Sequence, residues 1–195
     1  SGLRHRGVLA EAVAAYRSMG ITERVDDEIP DFAMENVFVP ASQGTTRHTV
    51  DFTPLNAIAK GIPAVTAKSV SDHFDGVSPS DCRYQAVVDA CKAWMLCPLS
   101  PEFRKLAVFR SHEGFERFNR MPFGWKNASQ VWDLAISDLT DGLERNVRRQ
   151  ADDFWIFGET LDIFLGALGK LLERMLARNI PTQPHKIQFL LPSTV

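Results

Sequence analysis

The chain has 195 residues, 45% hydrophobic and 24% charged, an ordinary globular composition with enough length to bury a core. A net charge of -2 argues against a uniformly basic nucleic-acid binder, and no run approaches the roughly 18 to 20 apolar residues of a membrane helix, so no membrane partner is expected. Cys82, Cys91 and Cys97 are odd in number without CxxC pairing, and the five histidines are scattered, which leaves no disulfide framework and no zinc site.

In chain order, Leu9, Val13, Tyr16 and Met19 recur at helical spacing before Gly20, predicting an amphipathic helix over residues 6–19. An acidic run follows at Asp26, Asp27, Glu28, Asp31 and Glu35. Strand-like stretches at 36–39 and 48–52 then flank Ser42-Gln43-Gly44-Thr45-Thr46, a hairpin-loop composition. The Pro/Ser stretch at 77–80 suits a lobe boundary. Ala86-Val87-Val88 reads as a strand ending on Asp89, and a second hairpin is expected from 105–111 and 115–120 around His112-Glu113-Gly114. A helix is predicted over 127–139, with Val131, Trp132, Ala135 and Leu139 on one face. The apolar strand Phe154-Trp155-Ile156-Phe157 is preceded by a shorter partner at 146–149, so Ala151-Asp152-Asp153 falls at their turn. Thr160 caps a long helix faced by Leu161, Phe164, Leu165, Leu168, Leu172, Met175 and Leu176; Pro181 stops it, and 186–190 reads as a last strand. Strand, helix, hairpin, helix, strand is the order of a split βαβ, ferredoxin-like antiparallel sheet with helices on one face, an α+β fold.

By itself an Asp-Asp pair in a turn is ordinary turn chemistry. Here an apolar strand follows the pair at once, and a third carboxylate, Asp89, closes a strand expected beside that hairpin. Converging carboxylates repel unless cations sit between them, and hard oxygen donors suit Mg²⁺. Two such ions about 3.5 to 4 Å apart activate an attacking 3′-hydroxyl and stabilise a leaving pyrophosphate. Two cationic stretches, Arg104, Lys105, Arg110, Arg117, Arg120 and Lys126, then Arg145, Arg148 and Arg149, read either as partner surfaces or as solvated faces.

Several segments match one family in order. Gly44-Thr45-Thr46-Arg47-His48-Thr49-Val50-Asp51-Phe52-Thr53-Pro54-Leu55-Asn56 resembles the fingers segment of retrotransposon reverse transcriptases, with its "DxRxLN" run. Val88-Asp89-Ala90-Cys91-Lys92-Ala93-Trp94 resembles the first palm motif, and Met121-Pro122-Phe123-Gly124-Trp125-Lys126-Asn127-Ala128 is close to the family's "MPFGlkNAp". Gln150-Ala151-Asp152-Asp153 stands where the family has "YxDD", and residues 179–186 where it has "lxlnpxKC". The chain thus resembles the fingers and palm of a gypsy-like long-terminal-repeat retrotransposon reverse transcriptase, with fingers over 1–76, including the first helix, and a palm over 77–195 interrupted by the 105–120 hairpin. The resemblance implies that Asp89 and Asp152 hold two Mg²⁺ ions, with Mn²⁺ a substitute, and that Asp153 completes the acidic cluster. It implies that Arg47 meets the incoming triphosphate, Trp94 lies under the deoxyribose, Phe123 and Gly124 line the nucleotide pocket, and Lys186 approaches the pyrophosphate. The implied partners are an RNA or DNA template-primer and dNTP, in the cytoplasm or nucleus.

Departures from the family gather at substrate-facing positions. Ala41-Ser42-Gln43 replaces a lysine-bearing loop, Thr53 replaces the arginine of "DxRxLN", Gln150 replaces the tyrosine, and Leu106-Ala107 replaces a lysine-threonine pair. From its Ser1-Gly2 start the chain reads as a piece of something longer, and it ends at Val195 where the family continues into a primer-grip hairpin and thumb. Two functions stay open: an RNA-directed DNA polymerase, and a domesticated, catalytically inactive scaffold that binds nucleic acid or protein.

Overall fold

The computed structural model describes residues 2–26, 29–41, 44–62 and 75–190. Asp27, Glu28 and the expected loop residues Ser42 and Gln43 lie outside the described residues. The chain divides into two compact units, Ser1–Ile62 with Trp94–Ser129, and Pro63–Ala93 with Gln130–Val195. From the sequence a single boundary is expected at 76/77 with 105–120 inserted; the packing draws its cuts at 62/63, 93/94 and 129/130.

In the first unit, helix α1 (Gly2–Ser18) buries Leu9 and Val13. It ends as the glycine predicts. Gly20 takes φ +65, its N–H reaches the Arg17 carbonyl, and the Ile21 N–H reaches Tyr16, a Schellman stop that turns the chain directly into β1 (Thr22–Val25). Strands β5 (Val108–Ser111) and β6 (Gly114–Phe118) form the second expected hairpin, and β1 adds to β6, giving the order β1-β6-β5. Glu116, fully buried in β6, is paired with the half-buried Arg17 and accepts from the Thr22 hydroxyl at 3.4 Å, so α1 is tied to the sheet by a partly buried ion pair. β2 (Asn36–Pro40) and β3 (Thr46–Val50) make a separate antiparallel pair.

Two short helices border the expected strands, and the second takes the first two residues of one. β3 stops at Val50 because Thr53-Pro54 opens helix α2 (Thr53–Ile58), where the Asp51 carboxylate accepts from the Thr53 N–H at 2.8 Å. Residues 101–106, whose last two were expected in a strand, form helix α3 (Pro101–Leu106), whose Ser100 hydroxyl accepts from the Phe103 N–H. Both start with proline in the first turn, where its missing donor costs nothing.

The second unit holds β4 (Tyr84–Asp89), β7 (Val147–Gln150), β8 (Asp153–Gly158) and β9 (Gln188–Leu190) in the order β7-β8-β4-β9, every neighbour antiparallel. β8 lies between β4 and β7, and β4 between β8 and β9, which is two interleaved split βαβ crossovers. Helix α4 (Ala128–Ala135) is shorter than expected and passes into a 3-10 turn over Ser137–Thr140 that still buries Leu139. Helix α5 (Leu161–Ala177), capped by the Thr160 hydroxyl, lays Phe164, Leu168, Leu171 and Met175 on the sheet face made by Ala86, Val88, Phe154 and Ile156. It approaches β8 closely at one point, where a Cβ on Gly158 would lie 2.7 Å from the Phe164 nitrogen. Among the described residues no helix is long and apolar enough to cross a membrane.

Candidate functional site

Side chains alternate across a strand, so with Ala86, Val88, Phe154 and Ile156 facing α5, the intervening Val87, Asp89, Asp153 and Trp155 face the other way. Asp89 and Asp153 are direct cross-strand partners at the end of the β4–β8 ladder, a spacing of roughly 5 Å between Cα atoms. Asp152 sits in the two-residue turn, Ala151-Asp152, that closes β7 onto β8. Ala151 there takes φ +53, a left-handed value costly for a residue with a Cβ.

The strand end is held on both sides. The Ala90 N–H donates to the Asp152 carbonyl at 2.8 Å, and the Cys91 N–H to the Pro181 carbonyl at 2.8 Å. Pro181 is delivered there by the end of α5. Asn179 takes φ +54, its N–H bonds to Leu176, and the Ile180 N–H bonds to Met175, a second Schellman stop with asparagine in the glycine position. Thr182 then bridges Ala90, and the Gln183 amide donates to the Cys91 sulfur at 3.0 Å. Asp89, Asp153, His185, Lys186 and Gln188 line one concavity of about 340 Å³.

Partial desolvation, and then the charges of Asp152 and Asp89, raise the Asp153 carboxyl above the ordinary aspartate range, although the residue as a whole is exposed. Asp153 therefore feels both neighbouring acids. Among the described residues no three His, Cys, Asp or Glu side chains are gathered closely enough to hold an ion as they stand. Like-charged carboxylates repel one another, and an all-oxygen, acidic donor set at the open end of the two central strands fits the preference of Mg²⁺ or Mn²⁺ for hard oxygen ligands.

The remaining candidates lie in the first unit. Arg47 is exposed on β3 and lines a small cavity of about 60 Å³ with Tyr16, His48, Met95, Phe118 and Phe123. Trp94 is half-buried in a 3-10 turn, Ala93–Leu96. Gly124 takes φ +90, and its carbonyl accepts from the Asn56 amide at 2.8 Å. Sequence reasoning gave Asn56 and Asn127 no role. Asn56 also accepts from the Lys126 N–H at 2.9 Å, while buried Asn127 accepts from the Ile62 N–H at 3.0 Å and donates to the Lys60 carbonyl at 2.8 Å. The two asparagines pin the 124–127 segment to the α2 stretch. Their partners stand about 65 to 70 residues away, so no local pattern announces them.

Most of the cations read as possible surfaces have internal partners. Arg104 donates to the Leu99 carbonyl, Arg117 to Glu23, Arg120 to the Leu96 carbonyl, Lys126 to the Asn56 and Ala59 carbonyls, and Arg149 to Asp133.

A split βαβ sheet with carboxylates at the turn of its central hairpin and at the facing strand end is the architecture of a polymerase palm. Residues 40–195 match the family described as "Reverse transcriptase (RNA-dependent DNA polymerase)", and the chain belongs to that family. It is 25% identical over 154 residues to the retrovirus-related Pol polyprotein from transposon 297 of Drosophila melanogaster, covering 77% of this chain and 14% of that one. Among solved structures it is similar in fold to a foamy viral protease-reverse transcriptase in complex with double-stranded DNA, with a TM-score of 0.84 and 17% identity over 97% of this chain and 32% of that one. The same viral protein in complex with RNA/DNA hybrid gives a TM-score of 0.82 and 15% identity, covering 96% and 24%. The chain therefore spans a third or less of the length of these relatives.

Proposed function

We propose that this chain is the fingers-and-palm part of an RNA-directed DNA polymerase, the first unit serving as fingers and the second as palm. The observation that carries this reading is the Asp89–Asp153 cross-strand pair at the end of the two central strands, with Asp152 in the adjoining turn. Asp89 and Asp152 would hold two Mg²⁺ ions and Asp153 would complete their acidic surround; such ions supply charge neutralisation for nucleotidyl transfer. Lys186, which lines the same concavity, would meet the negative charge that develops on a leaving pyrophosphate. Arg47 offers a planar guanidinium to the incoming triphosphate. Trp94 excludes a ribose 2′-hydroxyl by bulk, and Phe123 and Gly124 line the nucleotide pocket. Foamy viral relatives have been captured on double-stranded DNA and on RNA/DNA hybrid, which supports a template-primer as the partner.

A site of roughly millimolar affinity stabilises the folded chain by about 1.4 kcal/mol at tenfold excess of ion. Thermal denaturation with and without Mg²⁺ or Mn²⁺ tests this. The unmodified protein should gain stability and Asp152→Asn should not; equal melting of both at all ion concentrations removes the metal site. A second reading, a scaffold without chemistry, is favoured by the internal tethering of Arg104, Arg117, Arg120, Lys126 and Arg149. It predicts that null result.

A further inference from the structure

We propose that Trp132 is a positioning residue for the turn that carries Asp152, acting through the carbonyl of Ala151. The indole Nε1–H of Trp132 donates to the Ala151 carbonyl at 3.0 Å, and the side chain is only 1% exposed. Ala151 is the residue at φ +53, a left-handed conformation that its Cβ disfavours. A relaxed turn would swing that carbonyl away and take from the buried indole N–H its hydrogen bond to the Ala151 carbonyl, an unfavourable loss inside the fold. The bond therefore offsets the strain, and the left-handed turn is the conformation that satisfies both.

The neighbouring helix residue adds a second hold. Asp133 pairs with Arg149 on β7, so consecutive residues of α4 grip the hairpin on its strand and at its turn. The consequence passes to Asp89 through the backbone, because the Asp152 carbonyl accepts the Ala90 N–H at 2.8 Å, one residue beyond Asp89. Rotating the Ala151–Asp152 peptide moves the Ala151 carbonyl and resets φ at Asp152, so the next peptide, which carries the Asp152 carbonyl, turns with it and the Asp152 side chain faces Asp89 differently. The positioning stands on the turn geometry alone; its value to ion binding rests on the function proposed above.

Trp132→Phe keeps the buried ring and removes the donor. In the metal-free chain, amide hydrogen exchange should show the Ala90 N–H exchanging roughly tenfold faster, the size of one lost internal hydrogen bond, while the Ala86 and Ile156 amides in the middle of the sheet keep their protection. Glycine adopts positive φ without help, so adding Ala151→Gly to Trp132→Phe should restore Ala90 protection. Mn²⁺ affinity should weaken in Trp132→Phe and recover in the double variant. If phenylalanine disrupts folding, benzothienylalanine at position 132, which replaces the N–H by sulfur at nearly constant shape, takes its place. Loss of protection at Ala90 only in step with Ala86 and Ile156, or no recovery with Ala151→Gly, overturns the proposal. Absence of Mn²⁺ binding in the unmodified protein overturns the metal reading instead and leaves the exchange result to decide the positioning.

Discussion

His48 makes acid stability a test of the first unit. The residue is 4% exposed on β3, ringed by Phe38 and Phe109 at 5.6 Å and Tyr16 at 6.1 Å. Its Nε2 lies 2.8 Å from the Asn36 Oδ1, and the Asn36 amide nitrogen donates to the Arg110 carbonyl, so Oδ1 is the acceptor and the neutral ring carries its proton on Nε2. Nδ1 is buried with no hydrogen-bond partner among the described residues, and desolvation pulls the imidazole down to about 4. The unfolded chain, with its histidine at about 6.5, takes up a proton that the folded chain refuses. Stability present above pH 6.5 is therefore lost as the pH falls toward 4, by about 2 kcal/mol at pH 5 and about 3 kcal/mol at pH 4. Urea denaturation at pH 7 and pH 5 of the parent and of His48→Gln measures it. The parent should lose about 2 kcal/mol more than the variant. Asp153, whose carboxyl is raised, works in the opposite direction, but it is common to both proteins and cancels in the difference. Parent and variant losing equal stability between pH 7 and pH 5 would refute a buried neutral His48.

Gly158→Ala should cost about 2 to 3 kcal/mol in urea or thermal unfolding, because its Cβ meets backbone of α5 rather than a side chain that can turn aside. Asn127→Ala should cost about 2 kcal/mol by stranding the Ile62 N–H and the Lys60 carbonyl, and Asn127→Asp, which keeps only the acceptor, should recover part of it in the same assay. On a primed template Trp94→Ala should admit ribonucleoside triphosphates while retaining deoxynucleotide use; equal loss of both sugars makes Trp94 a core aromatic.

The second unit was the more legible in sequence. Phe154-Trp155-Ile156-Phe157 and the α5 leucines carry strong periodic signals, and Asp152 between two strand runs could only be a turn. What failed was local punctuation. Ser100-Pro101-Glu102 and Thr53-Pro54 are helix starts, yet each lies beside an apolar run that reads as strand, and β1 is a four-residue TERV segment whose pairing with β6 supplies all its reason to be extended. The fate of the cations was equally hidden. Arg117 and Arg149 read as surface charge until Glu23 and Asp133, distant by 94 and 16 residues, are brought beside them.

The motif residues differ in how much the fold itself explains them. Asn127 satisfies part-buried backbone groups that would otherwise be stranded, Asn56 ties the 124–126 backbone to α2 by exposed bonds, and Gly124 occupies a dihedral that a side chain resists, so all three belong to the architecture whether or not any chemistry survives. Of the departures, Gln150 and Leu106 are exposed and Thr53 starts a helix that a range of side chains would start, while Ala107 is fully buried. Shared motifs of the first kind therefore speak for descent and say little about activity. The aspartates differ in kind. Among the described residues no hydrogen bond uses the carboxylate of Asp89 or of Asp153, and like charges set directly opposite on an antiparallel pair cost about 0.2 to 1 kcal/mol. A sequence under selection for stability alone would relieve that repulsion with one neutral residue. The fold gains nothing from this arrangement, and a bound cation would reverse its sign, so the case for catalysis rests on this pair and its neighbour in the turn rather than on the length of the motif match.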